Sequence, residues 1–177
     1  KSKVHEMALI GLMASIICIL GPLSIPIGLV PVSLTNLAIF FALYVLGMKR
    51  ATVSFLIYLL IGLVGLPVFS NYSGGLAKLL GPTGGYIFGF FFMALIAGYF
   101  IDKDYNNKFA CFMGMLLGTA VLYIFGTIWL SYQANLSISA ALAAGVIPFI
   151  PGDLFKILVA AFIGPKIRER VFKYRGA

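Results

Sequence analysis

Six apolar stretches follow one another along the chain, separated by short connections that are polar or rich in glycine and proline. They cover residues 7–20, 34–48, 51–66, 84–101, 109–131 and 152–165. A membrane-spanning helix needs about 20 apolar residues, so the shorter stretches are expected either to extend into their flanking residues or to be shielded by neighbouring helices. The pattern therefore predicts an all-α integral membrane bundle of six transmembrane helices, formed by residues 1–177 as a single domain.

The amino-acid composition indicates the same class of protein. Hydrophobic residues make up 62% of the sequence, charged residues make up 10%, and the mean hydropathy is +1.07. A soluble domain carries about 25% charged residues, so this chain lacks the polar side chains to cover itself in water. The net charge of +8 does not indicate nucleic acid binding, because the basic residues lie at the ends of the apolar stretches. A basic excess at such positions is typical of cytoplasmic loops.

The distribution of charges predicts the orientation of the helices. With the N-terminus in the cytoplasm, eleven of the thirteen basic residues fall on the inner side: Lys1, Lys3, Lys49, Arg50, Lys103, Lys108, Lys166, Arg168, Arg170, Lys173 and Arg175. Four acidic residues, Glu6, Asp102, Asp104 and Glu169, also fall at inner ends. Both termini are then cytoplasmic, which requires an even number of spans. The first stretch lacks an Ala-x-Ala-type end, so we expect a retained helix there and not a cleaved signal peptide. This sorting leaves Lys78, Asp153 and Lys156 unexplained.

Asp153 and Lys156 are charged residues within the sixth apolar stretch. At about 1.5 Å per residue, Asp153 lies about 20 Å from Lys166 along the helix, in the outer third of a core about 30 Å thick. Their i, i+3 spacing places both side chains on one face, and Pro151 and Gly152 before them are typical of a helix start. A charge at this depth usually faces the bundle interior or a wet cavity. The two residues form either a structural ion pair or a pair that separates to hold a polar ligand.

A polar, glycine-rich loop is predicted above the same end of the bundle as Asp153. It carries Asn71, Tyr72, Gly74, Gly75, Lys78, Thr83, Gly84, Gly85 and Tyr86. Its glycines permit close approach of the backbone to a ligand, while Asn71 and Tyr72 offer hydrogen bonds and an aromatic wall. Alternatively, the loop is an ordinary turn, in which the glycines serve only the backbone and Lys78 is a solvated charge. Residues 25–36, with their spaced prolines, are expected to form a stiff extended segment that covers a pocket.

Several chemistries are excluded by the residues that the sequence lacks. It contains no Gly-x-x-x-x-Gly-Lys-Ser/Thr run, so no Walker-type nucleotide site is expected. Aspartyl protease chemistry needs two carboxylates, and only Asp153 lies within the apolar stretches. No cluster of His, Cys and carboxylate side chains indicates a metal. A ligand-capturing transport subunit and a membrane scaffold with a structural Asp153–Lys156 pair remain, and neither requires enzymatic activity or a cofactor.

Three motifs occur in a defined order along the chain. They are Val30-Pro31-Val32-Ser33-Leu34-Thr35, then Gly74-Gly75 followed by Gly81-Pro82-Thr83-Gly84-Gly85-Tyr86, and finally Pro151-Gly152-Asp153-Leu154-Phe155-Lys156. Together they resemble the BioY family, the biotin-binding S subunits of energy-coupling factor transporters. The resemblance implies a multi-pass protein of the prokaryotic cell membrane that captures biotin from outside with high affinity. It also implies a transmembrane coupling subunit and two ATPase subunits as partners, with docking through small residues of the first helix, here Gly11 and Ser15.

The polar groups of biotin match residues that the sequence singles out. The ureido ring has two N–H donors and one carbonyl acceptor, and the tail ends in a carboxylate. Under this resemblance, Asp153 is expected to accept hydrogen bonds from the ureido N–H groups. Asn71 and Lys156 are expected to donate to oxygens of the ligand.

The remaining loop residues are expected to hold the rest of the ligand. Tyr72, Tyr86 and apolar side chains would pack against the bicyclic ring. The tail carboxylate would meet Lys78 or the backbone N–H groups of residues 83–85. Gly74 and Gly75 would bring the main chain close to the ligand.

Overall fold

The protein is a bundle of helices with one small β-hairpin, described by a computed structural model over residues 3–175. In chain order the helices are α1 (Lys3–Leu20), α2 (Thr35–Leu46), α3 (Met48–Leu63), α4 (Leu76–Leu80), α5 (Gly84–Lys103), α6 (Lys108–Gln133), α7 (Ile138–Gly145) and α8 (Ile150–Arg175). Short 3-10 turns cover Ser70–Tyr72 and Ile147–Phe149. Six of these helices coincide with the six predicted stretches, whereas α4 and α7 were not predicted. Lys1, one of the predicted inner charges, lies outside the described residues.

The segment between α1 and α2 is a β-hairpin, which the all-α prediction omits. Strands β1 (Ser24–Ile27) and β2 (Val30–Ser33) pair antiparallel, with Ser24 opposite Ser33 and Ile27 opposite Val30. The two-residue turn begins with Gly28 at φ +71°, a conformation that glycine adopts readily at this turn position. The predicted extended character of residues 25–36 is therefore confirmed for the strands, but the segment doubles back on itself.

Membrane-spanning length is reached by four helical segments among the described residues. They are Lys3–Leu20, Gly84–Lys103, Lys108–Gln133 and Ile138–Lys173, the last of which runs through α7, a 3-10 turn and α8. Helix α2 is apolar but shorter. The molecule is thus a mostly helical protein with several apolar spans, and α8 continues through Pro165 well beyond the predicted end at residue 165.

Helix α2 lies in the centre of the bundle. Ten of its twelve residues are buried, as expected for a helix that is apolar on every side. Helix α8 packs closely against it, because Gly164 leaves room for the ring of Tyr44: a Cβ on Gly164 would lie 2.3 Å from Tyr44 Cδ2. This contact between α2 and α8 sets the polar residues near their N-terminal ends side by side.

Candidate ligand-binding site

The two charges of the sixth apolar stretch form a buried ion pair near the start of α8. Asp153 is 7% exposed and Lys156 is 8% exposed. Lys156 Nζ lies 3.1 Å from Asp153 Oδ1, which confirms that the i, i+3 spacing brings the two side chains together. Burial of two charges is costly unless further hydrogen bonds satisfy them, so the partners of this pair determine what it can do.

The ammonium of Lys156 has all three of its donors engaged. Besides Asp153, Nζ donates to the backbone oxygen of Ser33 at 2.7 Å and to Asn36 Oδ1 at 3.1 Å. Ser33 ends strand β2 and Asn36 lies in the first turn of α2. Lys156 therefore joins three elements, α8, α2 and the hairpin.

The carboxylate of Asp153 receives two further hydrogen bonds. Asn36 Nδ2 donates to Oδ1 at 2.8 Å, and the Tyr123 hydroxyl donates to Oδ2. The orientation of the Asn36 amide follows from chemistry, because the ammonium requires an acceptor and the carboxylate requires a donor. A carboxylate offers about four acceptor positions, and three are occupied here, so one remains for a further donor.

This polar cluster forms one wall of a cavity with about 620 Å³ of empty space, its open mouth included. Small-molecule sites combine largely apolar walls with a few placed polar groups. The other lining residues come from the hairpin, from both 3-10 turns and from helices α2, α3, α5, α6 and α7 or the residues beside them. They include Val30, Val32, Tyr58, Phe69, Ser70, Thr83, Tyr86, Phe90, Leu122 and Phe149. The walls of the cavity have the chemistry of a site for a ligand with an apolar body and a polar head.

Four of the predicted ligand residues line this cavity: Asp153, Lys156, Thr83 and Tyr86. Thr83 is the N-cap residue of α5 and its side chain makes no capping hydrogen bond. Tyr86 is fixed in position, because its hydroxyl donates to the Gly145 backbone oxygen at 2.8 Å. These residues give the cavity a free hydroxyl and a rigid aromatic wall.

Asn71 and Tyr72 lie outside the cavity lining, contrary to the predicted arrangement. Asn71 bonds to the hairpin instead: its backbone N–H donates to Ser24 Oγ at 2.8 Å, and its Oδ1 accepts from the same hydroxyl at 2.7 Å. Both residues have positive φ, 59° and 53°, and this turn leaves Tyr72 66% exposed. In this structure Asn71 therefore connects two loops and contacts no ligand space.

The four predicted glycines and Lys78 also lie outside the lining, for reasons of packing. A Cβ on Gly74 would lie 2.3 Å from the Leu66 oxygen, and one on Gly84 would lie 1.8 Å from the Leu79 oxygen. One on Gly85 would lie 2.3 Å from Trp129 Cβ, and Gly75 begins α4 at φ +87°. Gly74, Gly84 and Gly85 therefore allow close packing of the chain on itself, whereas Gly75, where a Cβ would meet no atom within 4 Å, allows the left-handed backbone before α4. Lys78 lies on α4, where partial burial lowers the pKa of its ammonium.

The predicted docking residues lie on an open face of α1. Gly11 and Ser15 are both exposed, and a Cβ on Gly11 would meet no atom within 4 Å. Ser15 Oγ donates to the Gly11 backbone oxygen at 2.9 Å, so its hydroxyl is satisfied within the helix. Gly11 and Ser15 therefore form a surface of small side chains that is open to contact.

Comparison with known proteins assigns the chain to a family. The family profile described as "BioY family" matches residues 1–173. The chain belongs to the BioY family. Among its relatives, a Lactococcus lactis protein named biotin transporter BioY2 is 34% identical, over 92% of this chain and 90% of its own length. A Thermotoga maritima protein named biotin transporter BioY is 36% identical, over 90% of this chain and 93% of its own length.

A solved structure shares the fold. It is described as the S-component for biotin from an ECF-type ABC transporter, with 36% sequence identity and a TM-score of 0.86. The match covers 94% of this chain and 92% of that chain. This BioY chain therefore shares the architecture of an S-component over nearly its full length.

Asn36 and Tyr123 are the two partners of Asp153 in this BioY chain that sequence reasoning missed. Both lie within apolar helices, and both bond to Asp153 across the bundle. An asparagine in the first turn of an apolar helix is a usable signal, because a buried amide needs a polar partner. Tyr123 gives no such signal, since tyrosine is common in membrane helices and its partner lies 30 residues away.

Proposed function

We propose that this chain captures biotin and serves as the substrate-binding subunit of an energy-coupling factor transporter. The observation that carries the proposal is the buried cluster of Asp153, Lys156, Asn36 and Tyr123 at one wall of an otherwise largely apolar cavity. Membership of the BioY family, and relatives named as biotin transporters, support biotin as the ligand. Biotin has the corresponding form, with a polar ureido ring attached to an apolar thioether ring and chain.

The ureido ring finds both acceptors and donors in this cluster. Asp153 retains one acceptor position, and the oxygen of Tyr123 can accept as well as donate. Asn36 uses one of its two amide N–H groups for Asp153, which leaves the second for the ureido carbonyl. We therefore assign the ureido N–H groups to Asp153 and Tyr123, and the carbonyl to Asn36 and Lys156.

Lys156 can bind ligand by exchanging one of its present partners. All three ammonium donors are engaged in this structure. Releasing the Ser33 oxygen would free one donor without separating the ion pair, so the net charge of the buried cluster would stay balanced. The same exchange would loosen strand β2 from α8, which links ligand binding to the hairpin above the cavity.

The apolar parts and the tail of the ligand are assigned to the remaining walls. Tyr86, Phe90 and Phe149 offer rigid surface for the thioether ring. The tail carboxylate is assigned to the hydroxyls of Thr83 and Ser70, which line the cavity. In this arrangement Asp153, Lys156, Thr83 and Tyr86 contact the ligand as predicted. Asn71, Tyr72 and Lys78 do not contact it directly.

We further propose six spans with both termini in the cytoplasm of a prokaryotic cell. The basic residues near the ends of α3, α5 and α8 support this orientation, and it places the cavity at the outer end of the bundle. The short α2 is covered by neighbouring helices, so its length is less constrained than that of a lipid-exposed span. Biotin would then enter from outside.

The proposed partners are the transmembrane coupling subunit and two ATPase subunits. Gly11 and Ser15 on α1 offer the small surface that close helix packing requires in a membrane. Gly11→Leu is expected to abolish co-purification with the coupling subunit while leaving biotin affinity unchanged. Co-purification at the parent level would show that this face is not the docking surface.

Thermal denaturation with and without ligand tests biotin capture against the scaffold alternative. A ligand at about 100 times its dissociation constant stabilises a protein by about 2.7 kcal/mol, so biotin should raise the melting temperature by several degrees. Lipoate carries the same type of acidic tail without the ureido ring and is expected to give no shift. If biotin and lipoate both leave the melting temperature unchanged, the Asp153–Lys156 pair is structural and the scaffold reading holds.

A further inference from the structure

A second polar cavity lies at the end of the bundle opposite the Asp153 cluster. It is a cleft with about 790 Å³ of empty space, its open side included. Its walls come from α1, the α2–α3 junction, α5 and α8, and its charged lining residues are Glu6, Arg50, Asp102 and Arg168. His5, Leu46 and Phe172 complete the wall. The cleft has no role in the proposed capture of biotin.

Opposite charges alternate around the cleft. Arg50 on α3 pairs with Glu6 on α1, and both residues remain over one third exposed. Arg168 on α8 pairs with Asp102 on α5 at 3.3 Å. Asp102 also accepts from the Met48 backbone N–H at 2.8 Å. The two pairs join four helices but leave the space between them open.

The two guanidinium groups retain hydrogen-bonding capacity. Each has five N–H donors, and each uses a single nitrogen for its ion pair. The Arg168 side chain is 13% exposed, and its buried Nε has no hydrogen-bond partner among the described residues. A buried donor without a partner is unfavourable, so a ligand that supplies an acceptor would stabilise it. Tyr105 and Phe172 hold this guanidinium at 4.8 and 5.3 Å from their ring centroids.

We propose that this cleft binds the headgroup of a phospholipid that carries both a phosphate and a primary ammonium. The phosphate would accept from Arg50 and Arg168, for which guanidinium geometry is well suited. The ammonium would donate to Glu6 and Asp102. A ligand with both charges preserves the neutrality of the two ion pairs, whereas a purely anionic headgroup would leave the carboxylates facing a phosphate.

The position of the cleft supports a lipid as the occupant. It lies at the end where Lys49, Arg50, Lys103 and Lys166 collect, which the proposed orientation places at the inner membrane surface. The outer faces of α1 and α8 beside it expose apolar side chains such as Met7, Phe162 and Ile163. A headgroup in the cleft would therefore continue into acyl chains along these helices.

Native mass spectrometry of the detergent-purified protein tests this site. The probes are phosphatidylethanolamine and phosphatidylglycerol with identical acyl chains, added at equal concentration. The parent is expected to retain about tenfold more of the ethanolamine lipid, or about 1.4 kcal/mol, because its ammonium adds charge-assisted hydrogen bonds to Glu6 and Asp102. Arg50→Gln is expected to reduce its retention about tenfold. Glu6→Gln is expected to remove the preference between the two lipids.

Lys103→Gln is the matched control, because Lys103 is an exposed basic residue at the same end that does not line the cleft. It should retain lipid as the parent does. Equal retention of both lipids by the parent, or equal losses in Arg50→Gln and Lys103→Gln, would overturn the proposal. Biotin titration of each variant shows independently whether that variant is folded. If Arg50→Gln does not fold, the lipid preference of Glu6→Gln decides whether the proposal holds. Biotin binding itself is measured separately on the parent.

Discussion

At the scale of single residues, the Asp153 carboxylate is held in place by the groups that hydrogen-bond to it. Tyr123 supplies the donor to Oδ2, and Asn36 and Lys156 supply the donors to Oδ1. Removing one donor leaves a buried carboxylate partly unsatisfied. Asn36, Lys156 and Tyr123 should therefore affect ligand affinity both through Asp153 and through their own proposed contacts with the ureido ring.

Tyr123→Phe should weaken biotin binding by about 1–3 kcal/mol, since the buried carboxylate loses a hydrogen bond. The measurement is calorimetric titration of the purified variant. Tyr132→Phe is the control, because Tyr132 lies on the same helix and is 78% exposed. Equal affinities in the two variants would show that Tyr123 does not support the Asp153 carboxylate.

Sequence reasoning found half of this polar cluster. Asp153 and Lys156 were predictable because a charge inside an apolar helix demands a partner, whatever the fold. Asn36 and Tyr123 were not identified, because their role arises from contacts across the bundle. Asn71 was assigned to the ligand for its chemistry, but local turn geometry directs its side chain to Ser24.

At the scale of elements, glycines determine how closely the long helices approach one another. Gly85 on α5 faces α6, where an added Cβ would lie 2.3 Å from Trp129 Cβ and 2.7 Å from the Phe125 oxygen. Gly11 on α1 has open space around it. The same substitution at these two positions should therefore have opposite effects on stability.

Gly85→Ala is expected to lower the free energy of unfolding by about 1–3 kcal/mol, because overpacking forces the two helices apart. Gly11→Ala should stabilise its helix by about 0.5–1 kcal/mol, because alanine loses less backbone entropy. Thermal denaturation in detergent compares the two variants. A loss of stability in Gly11→Ala as large as that in Gly85→Ala would contradict the packing described here.

The hairpin is fastened to the turn before α4 by Ser24 and Asn71. Ser24→Ala removes both hydrogen bonds, each worth about 0.5–1.5 kcal/mol. We expect biotin to dissociate several-fold faster, measured by exchange of labelled ligand. Ser139→Ala, at an exposed position on α7, serves as the control. An unchanged dissociation rate in Ser24→Ala would show that the hairpin does not retain the ligand.

Helix positions were more predictable than the elements between them. Long apolar runs define helices in a membrane because the backbone must satisfy its own hydrogen bonds there. The hairpin, α4 and α7 are short, and their structure depends on contacts with the bundle. The spaced prolines of residues 25–36 indicated extended backbone but did not reveal that the strands pair.

At the scale of the whole molecule, the proposed orientation places the α6–α7 connection outside and the α5–α6 connection inside. Ser139→Cys and Asn106→Cys introduce thiols at exposed positions on these two sides. A membrane-impermeant maleimide added to intact cells should label the first variant and spare the second. The parent, which contains Cys18 and Cys111, gives the background. Labelling of Asn106→Cys alone would show that the orientation is the opposite of the proposed one.

Binding of biotin through the Asp153–Lys156 pair is the central claim, and calorimetric titration tests it most directly. The parent should bind biotin tightly. Asp153→Asn and Lys156→Ala should each lose about 3 kcal/mol or more, roughly 100-fold in affinity, because each leaves a buried charge without its partner. Lys103→Ala, at an exposed lysine distant from the cavity lining, should match the parent. No heat of binding in the parent, or parent-like affinity in both site variants, would contradict the account.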